Sequence, residues 1–108
     1  MALKLTYNLG GIDGIEISNA YFRIDSIVTS RNPIDAAIYA AQGRGTGSKY
    51  LATPILEVLK DKDKARLEVK RGDYSFAYDH TSNTNIYKQA YDFLKTLPEF
   101  SGSIDAND

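Results

Sequence analysis

The chain is expected to fold as an α+β domain: a mainly antiparallel sheet, curled into a small barrel or sandwich, with one C-terminal α-helix packed on it. Three observations predict this. Several short segments alternate apolar and polar residues, turn-forming residues separate them, and a single segment near the end, 84–97, switches to the helical period. With 108 residues in all, one β-rich domain is expected over 1–100, followed by a polar tail at 101–108.

Leu3, Leu5, Tyr7 and Leu9 alternate with Lys4, Thr6 and Asn8, the pattern of a half-buried strand, and Gly10, Gly11 and Gly14 then supply turn conformations. In the next strand the apolar residues run on odd numbers from Ile15 and Ile17 to Tyr21, then on even numbers at Phe22, Ile24 and Val28. A period of two cannot change phase without a bulge or a break, so an irregularity is expected at 19–21.

Segment 32–43 carries two signals. Asn32 as N-cap, Pro33 at the first helical position, an alanine-rich interior and Gly43 as a stop spell a short helix, with Ile34, Ala37, Ile38 and Ala41 on one face. A strand over 34–41 would instead form a hairpin with 22–28 through Ser30, Arg31, Asn32 and Pro33. Beyond it, 43–49 holds three glycines among polar residues and reads as a flexible loop.

An apolar run over 55–59, a charged turn at 60–64 and the alternation of Ala65, Leu67 and Val69 with Arg66, Glu68 and Lys70 predict a hairpin. Tyr74, Phe76 and Tyr78 form a further aromatic face. Ile86, Ala90, Phe93, Leu94 and Leu97 then fall on one helical stripe, opposite Lys88, Gln89, Asp92 and Lys95, and Pro98 ends the helix.

Hydrophobic residues make up 43% of the chain, charged residues 25%, and the formal net charge of -1 creates no field that would gather nucleic acid or anionic lipid. There is no cysteine, which excludes disulfides and thiolate zinc sites. The first residues lack the apolar run of a signal peptide, and no stretch is long and apolar enough to span a membrane, so synthesis in the cytoplasm is expected.

Each possible chemistry has a plainer reading. Gly43-Arg44-Gly45-Thr46-Gly47 offers amides and a cation to an anion, but Ser48-Lys49 reverses the order of a phosphate loop. His80 is the single histidine, which excludes histidine clusters, and it reads as a solvated loop residue beside Asp79. Asp61, Asp63 and Asp73 are interrupted by Lys62 and Lys64, unlike a calcium loop. Lys62, Lys64, Arg66, Lys70 and Arg71, interleaved with Tyr74 and Tyr78, suggest a nucleic-acid platform, yet Asp61, Asp63, Glu68 and Asp73 offset most of that charge. Nucleic acid is therefore not the expected partner.

The segment Ile86-Tyr87-Lys88-Gln89-Ala90-Tyr91, running into Leu94-Lys95-Thr96-Leu97-Pro98-Glu99-Phe100, resembles the ending of small proteins encoded by tailed bacteriophages. Ala20-Tyr21-Phe22-Arg23-Ile24 is similar to an Ala-Tyr-x-Arg-Ile strand of the same group, and Ile38-Tyr39-Ala40 resembles another of its strands, which favours the strand reading of 34–41. The resemblance implies a non-enzymatic structural protein of the tail, baseplate or collar, or alternatively a capsid decoration protein. A different class remains open, a phage-encoded regulator that binds a host protein or nucleic acid. The first reading implies no catalytic residue, cofactor or metal. It also implies other virion proteins as partners, a homo-oligomeric or multi-copy state, no membrane, and residence in the virion after assembly in the host cytoplasm. The 43–49 loop and the 60–64 tip depart from the group. With Tyr50, next to the loop, and the helix they supply the candidate contact residues Arg44, Lys49, Tyr50, Lys62, Lys64, Tyr87 and Tyr91.

Overall fold

The computed structural model describes residues 2–9, 15–59, 66–71 and 74–106. In chain order it comprises β1 (Ala2–Leu9), β2 (Ile15–Arg31), α1 (Pro33–Ala41), β3 (Tyr50–Leu59), β4 (Arg66–Lys70), β5 (Phe76–Tyr78), α2 (Ile86–Lys95), a 3-10 turn (Pro98–Phe100) and β6 (Ile104–Ala106). The strands pair antiparallel in the order β4-β3-β2-β1-β6, and β5 also pairs with β3. Because β2 runs along β3 from Tyr50 to Leu59, β4 and β5 share its other edge, β4 at Leu56 to Leu59 and β5 at Tyr50 to Ala52.

The α+β class and the predominantly antiparallel sheet thus stand, whereas closure into a barrel does not. Closing a sheet requires its two edge strands to pair, and here β6 and the β4/β5 edge do not meet. The polar 101–108 stretch contributes one of those edges: Ala2, Lys4 and Leu3 pair with Ala106, Ile104 and Asp105. The turns expected at 10–14 and 60–64 lie outside the described residues, but the strands they join pair as hairpins.

Bulges explain the phase changes of β2. Leu5 pairs with Ala20 and Tyr7 with Ile17, so β2 carries an extra residue between 17 and 20, next to the expected irregularity at 19–21. A second bulge follows, because Ile24 pairs with Leu56 but Ser26 with Ile55. It returns Ile27 to the core side and turns Val28, expected on that side, out to solvent at 57% exposure.

Segment 33–41 is a helix, not the favoured strand, and β2 pairs with β3 in place of a 22–28/34–41 hairpin. Local capping decides it. The Asn32 side chain accepts the Asp35 N–H at 3.1 Å, its Nδ2 donates to Asp35 Oδ2 at 2.6 Å, and Pro33 fixes the first turn. At the other end Gly43 takes φ +75 and donates to the Ala40 carbonyl at 3.0 Å. The Asn32 N–H, directed to the Lys49 carbonyl at 3.1 Å, then sets the helix beside the entry to β3.

The core lies between one sheet face and α2. Leu3, Phe22, Ile24, Leu56 and Val58 point from the strands toward Ala90, Phe93 and Leu94, with Ile86 and Leu97 half-buried at the rim, so the predicted helical stripe is the docked one. Phe100 locks the 3-10 turn in place, edge-on to Phe22 at 5.4 Å and to Tyr74 at 5.7 Å. On the opposite face a smaller cluster joins Ala2, Tyr21 and Leu59. Beside it Glu57, 6% exposed, stands between Arg23 on β2 and Arg66 on β4.

Candidate functional site

A cleft of about 350 Å³ opens between the 43–46 loop, β5 and α2. The loop is held there by backbone. Arg44 donates its N–H to the Tyr39 carbonyl at 2.7 Å and its carbonyl accepts the Ala77 N–H at 3.0 Å, so Gly45 forms a bridge with Ala77. Two residues of the glycine-rich loop expected over 43–49, Arg44 and Gly45, are thereby tied to α1 and β5. Gly45, at φ +144, needs to be glycine: a Cβ there would overlap the carbonyl oxygen and side chain of Ala77.

Arg44 lies over two rings, 4.7 Å from the centroid of Tyr39 and 5.5 Å from that of Phe93. Its Nε is buried and has no hydrogen-bond partner, and the side chain makes no ion pair among the described residues. The far wall is built by α2. Gln89 receives the Asp79 N–H at 3.0 Å and donates to the Asp79 and Thr84 carbonyls at 3.0 and 2.8 Å, fixing the 79–84 turn against the helix. Hydrogen bonds from the Thr81 hydroxyl and N–H, with a smaller contribution from His80, hold the Asp79 carboxyl below the usual carboxylate range. A second hollow of about 240 Å³ continues past Thr46 and Asp79 to His80.

The candidate contact residues are dispersed. Arg44 is in the cleft. Lys49 is exposed, and Tyr50 begins β3 with its ring edge-on to His80 at 4.8 Å. Tyr87 is exposed on α2, but Tyr91, one turn further, is a core residue at 3% exposure whose hydroxyl accepts the Ile24 N–H at 2.9 Å. Lys62 and Lys64 lie outside the described residues, as do Asp61, Asp63 and Asp73. Among the described residues no three His, Cys, Asp or Glu side chains are grouped to hold a metal, and no helix is long and apolar enough to cross a membrane. Tyr74 is buried, its hydroxyl donating to Glu99 at 3.0 Å, and Tyr78 packs on the core, so neither ring stands out as a stacking platform.

Sequence reasoning missed the partners of Arg44. The strand reading of 34–41 points Tyr39 away from the loop and the helical stripe gives Phe93 a core role alone, whereas a helix over 33–41 puts Tyr39 within reach of the loop that follows. It also missed which way α1 faces. The helix packs on β5 and β3 through Ala36, and its apolar face is turned to solvent, with Ile34 at 72% and Ile38 at 49% exposure beside exposed Ala37 and Ala41.

No family model, no curated protein and no solved structure matches this chain.

Proposed function

We propose that this chain is a non-enzymatic structural component of a tailed-bacteriophage particle, in the tail, baseplate or collar, where it is present in many copies and contacts other virion proteins. The outward face of α1 carries this reading. Ile34, Ala37, Ile38 and Ala41 expose apolar side chains together on a helix whose other side is docked through Ala36, the reverse of a helix patterned for solvent. A surface of that chemistry suits the apolar surface of another protein and offers nothing to a phosphate backbone. A single helix face gives a weak contact, and weak contacts suffice where symmetry repeats them. The likeness of the 86–100 segment to phage proteins supplies the setting: assembly in the host cytoplasm, then residence in the virion.

Mass spectrometry of gradient-purified particles tests this. The chain should appear at a copy number in step with the known structural proteins of the particle. If it is present in infected-cell lysate but missing from the particles, the same face serves a host-directed regulator and the structural reading fails.

A further inference from the structure

We propose that the cleft between the 43–46 loop and α2 binds a carboxylate presented by a partner protein, and that Arg44 is the residue that recognises it. The inference takes the class of partner from the protein-binding reading above, but it rests on a different face of the molecule. Two rings orient the guanidinium, Tyr39 from α1 and Phe93 from α2. Arginine held in this way loses little further freedom when it binds. Its Nε, buried without an acceptor, is a charged donor lacking the partner that buried donors ordinarily have. Beyond that buried atom the two Nη groups form a planar pair of donors that fits the two oxygens of a carboxylate.

The surroundings select among anions. Asp79 and Asp92 line the same cleft, and the Asp92 charge is offset in part by Lys88 at 3.1 Å. Two carboxylates repel a doubly charged phosphate more than a singly charged carboxylate, and they accept hydrogen bonds from the amide N–H groups that accompany a carboxylate in a polypeptide. The volume of about 350 Å³ lies at the small end of ligand-sized pockets and suits one or two residues rather than a long segment. Gly45 also brings the loop backbone close enough to β5 to keep Arg44 over the cleft.

The carboxylate has two sources within a protein, an acidic side chain or a chain terminus, and short peptides separate them. NMR correlation spectra of the whole chain, following the Arg44 Nε–Hε signal and the Gly45 and Thr46 amides, are recorded against acetyl-Gly-Glu-Gly-amide, acetyl-triglycine acid, acetyl-triglycine amide and inorganic phosphate. A saturable shift is expected with one of the two acids, at least about tenfold tighter than with the neutral amide or phosphate. The acid that saturates names the source. In R44K, which keeps the charge but loses the fork and Nε, that shift should be lost while the β-sheet amides stay in place. The proposal is overturned if neither acid shifts these signals, if the neutral amide binds equally well, if phosphate alone saturates, or if R44K binds like the parent. Because particle composition plays no part in this measurement, its failure leaves the α1 reading standing, and absence from particles leaves carboxylate binding measurable.

Discussion

The Tyr91 hydroxyl accepts the backbone N–H of Ile24 at 2.9 Å, joining α2 to β2 two residues beyond Phe22, which pairs with Leu3 of β1. A helix side chain thus takes up a strand amide, so that one backbone donor of β2 is met from the helix layer. This explains why a tyrosine rather than a phenylalanine occupies a core position at the second turn of α2.

Tyr91→Phe keeps the ring and removes the acceptor, so it should cost about 1 to 3 kcal/mol, the range for leaving a buried amide unmatched. The variant should also change the alkaline limb of stability. Burial pushes the Tyr91 pKa above its ordinary value, chiefly by desolvation. Above about pH 10 the unfolded chain therefore ionises this hydroxyl while the folded chain still holds its proton, and stability falls as pH rises. Urea melts from pH 8 to 11 should show a shallower decline for Tyr91→Phe than for the parent; equal slopes would contradict this.

The fold was legible where one signal acted alone. The α2 stripe from Ile86 to Leu97 and the alternation over Leu3 and Leu5 translate directly into buried faces, because no other pattern competed there. Segment 33–41 was not legible, since apolar, alanine-rich residues serve a strand or a helix equally and only the ends decide. Asn32, Pro33 and Gly43 are the informative residues, and their capping overrides the likeness to a phage strand. β6 was hidden for a different reason. An edge strand of three residues needs backbone pairing but little apolar pattern, so Ile104, Asp105 and Ala106 looked like a polar tail. In the cleft, Arg44 was visible as a glycine-flanked cation, but its stacking on Tyr39 and Phe93 depends on long-range packing that spacing does not encode.

The two glycines around Arg44 should respond differently to alanine. At Gly43, φ is +75 and nothing lies within 4 Å of a new Cβ, so Gly43→Ala carries only the left-handed backbone penalty, about 1 to 2 kcal/mol. Gly45→Ala adds a collision with the Ala77 backbone and should cost clearly more, and it should release the loop from β5. Hydrogen exchange reads this directly. The Ala77 amide, bonded to the Arg44 carbonyl, should be protected in the parent and in Gly43→Ala but exchange faster in Gly45→Ala.

The two arginines beside Glu57 should be unequal. Arg23 donates from Nε at 2.7 Å and again from Nη2 to the same carboxylate oxygen, whereas Arg66 approaches the other oxygen only to 3.5 Å. The Arg66 side chain is also the more exposed, at 52% against 36%. Arg23→Ala leaves a buried carboxylate short of its strong donors and should cost about 1.5 to 3 kcal/mol. Arg66→Ala should cost under about 1 kcal/mol, as exposed pairs do. Denaturant melts giving the opposite order would show that Arg66 holds the carboxylate.

The α1 face offers the sharpest separation of stability from association. Phe93 stacks on Phe76 at 5.2 Å within the core, so Phe93→Ala should cost about 3 to 5 kcal/mol. Ile34 and Ile38 are equally apolar by sequence yet face solvent, and replacing both with serine should leave stability within about 0.5 kcal/mol per site. A surface that contributes so little to its own fold while exposing this much apolar area is expected to act on a neighbour. The Ile34→Ser, Ile38→Ser double variant should therefore fold like the parent and yet be depleted from purified particles when supplied in its place. If the double variant melts several kcal/mol earlier, α1 is instead buried by the chain's own contacts. Normal incorporation of the folded double variant would move the contact away from this helix.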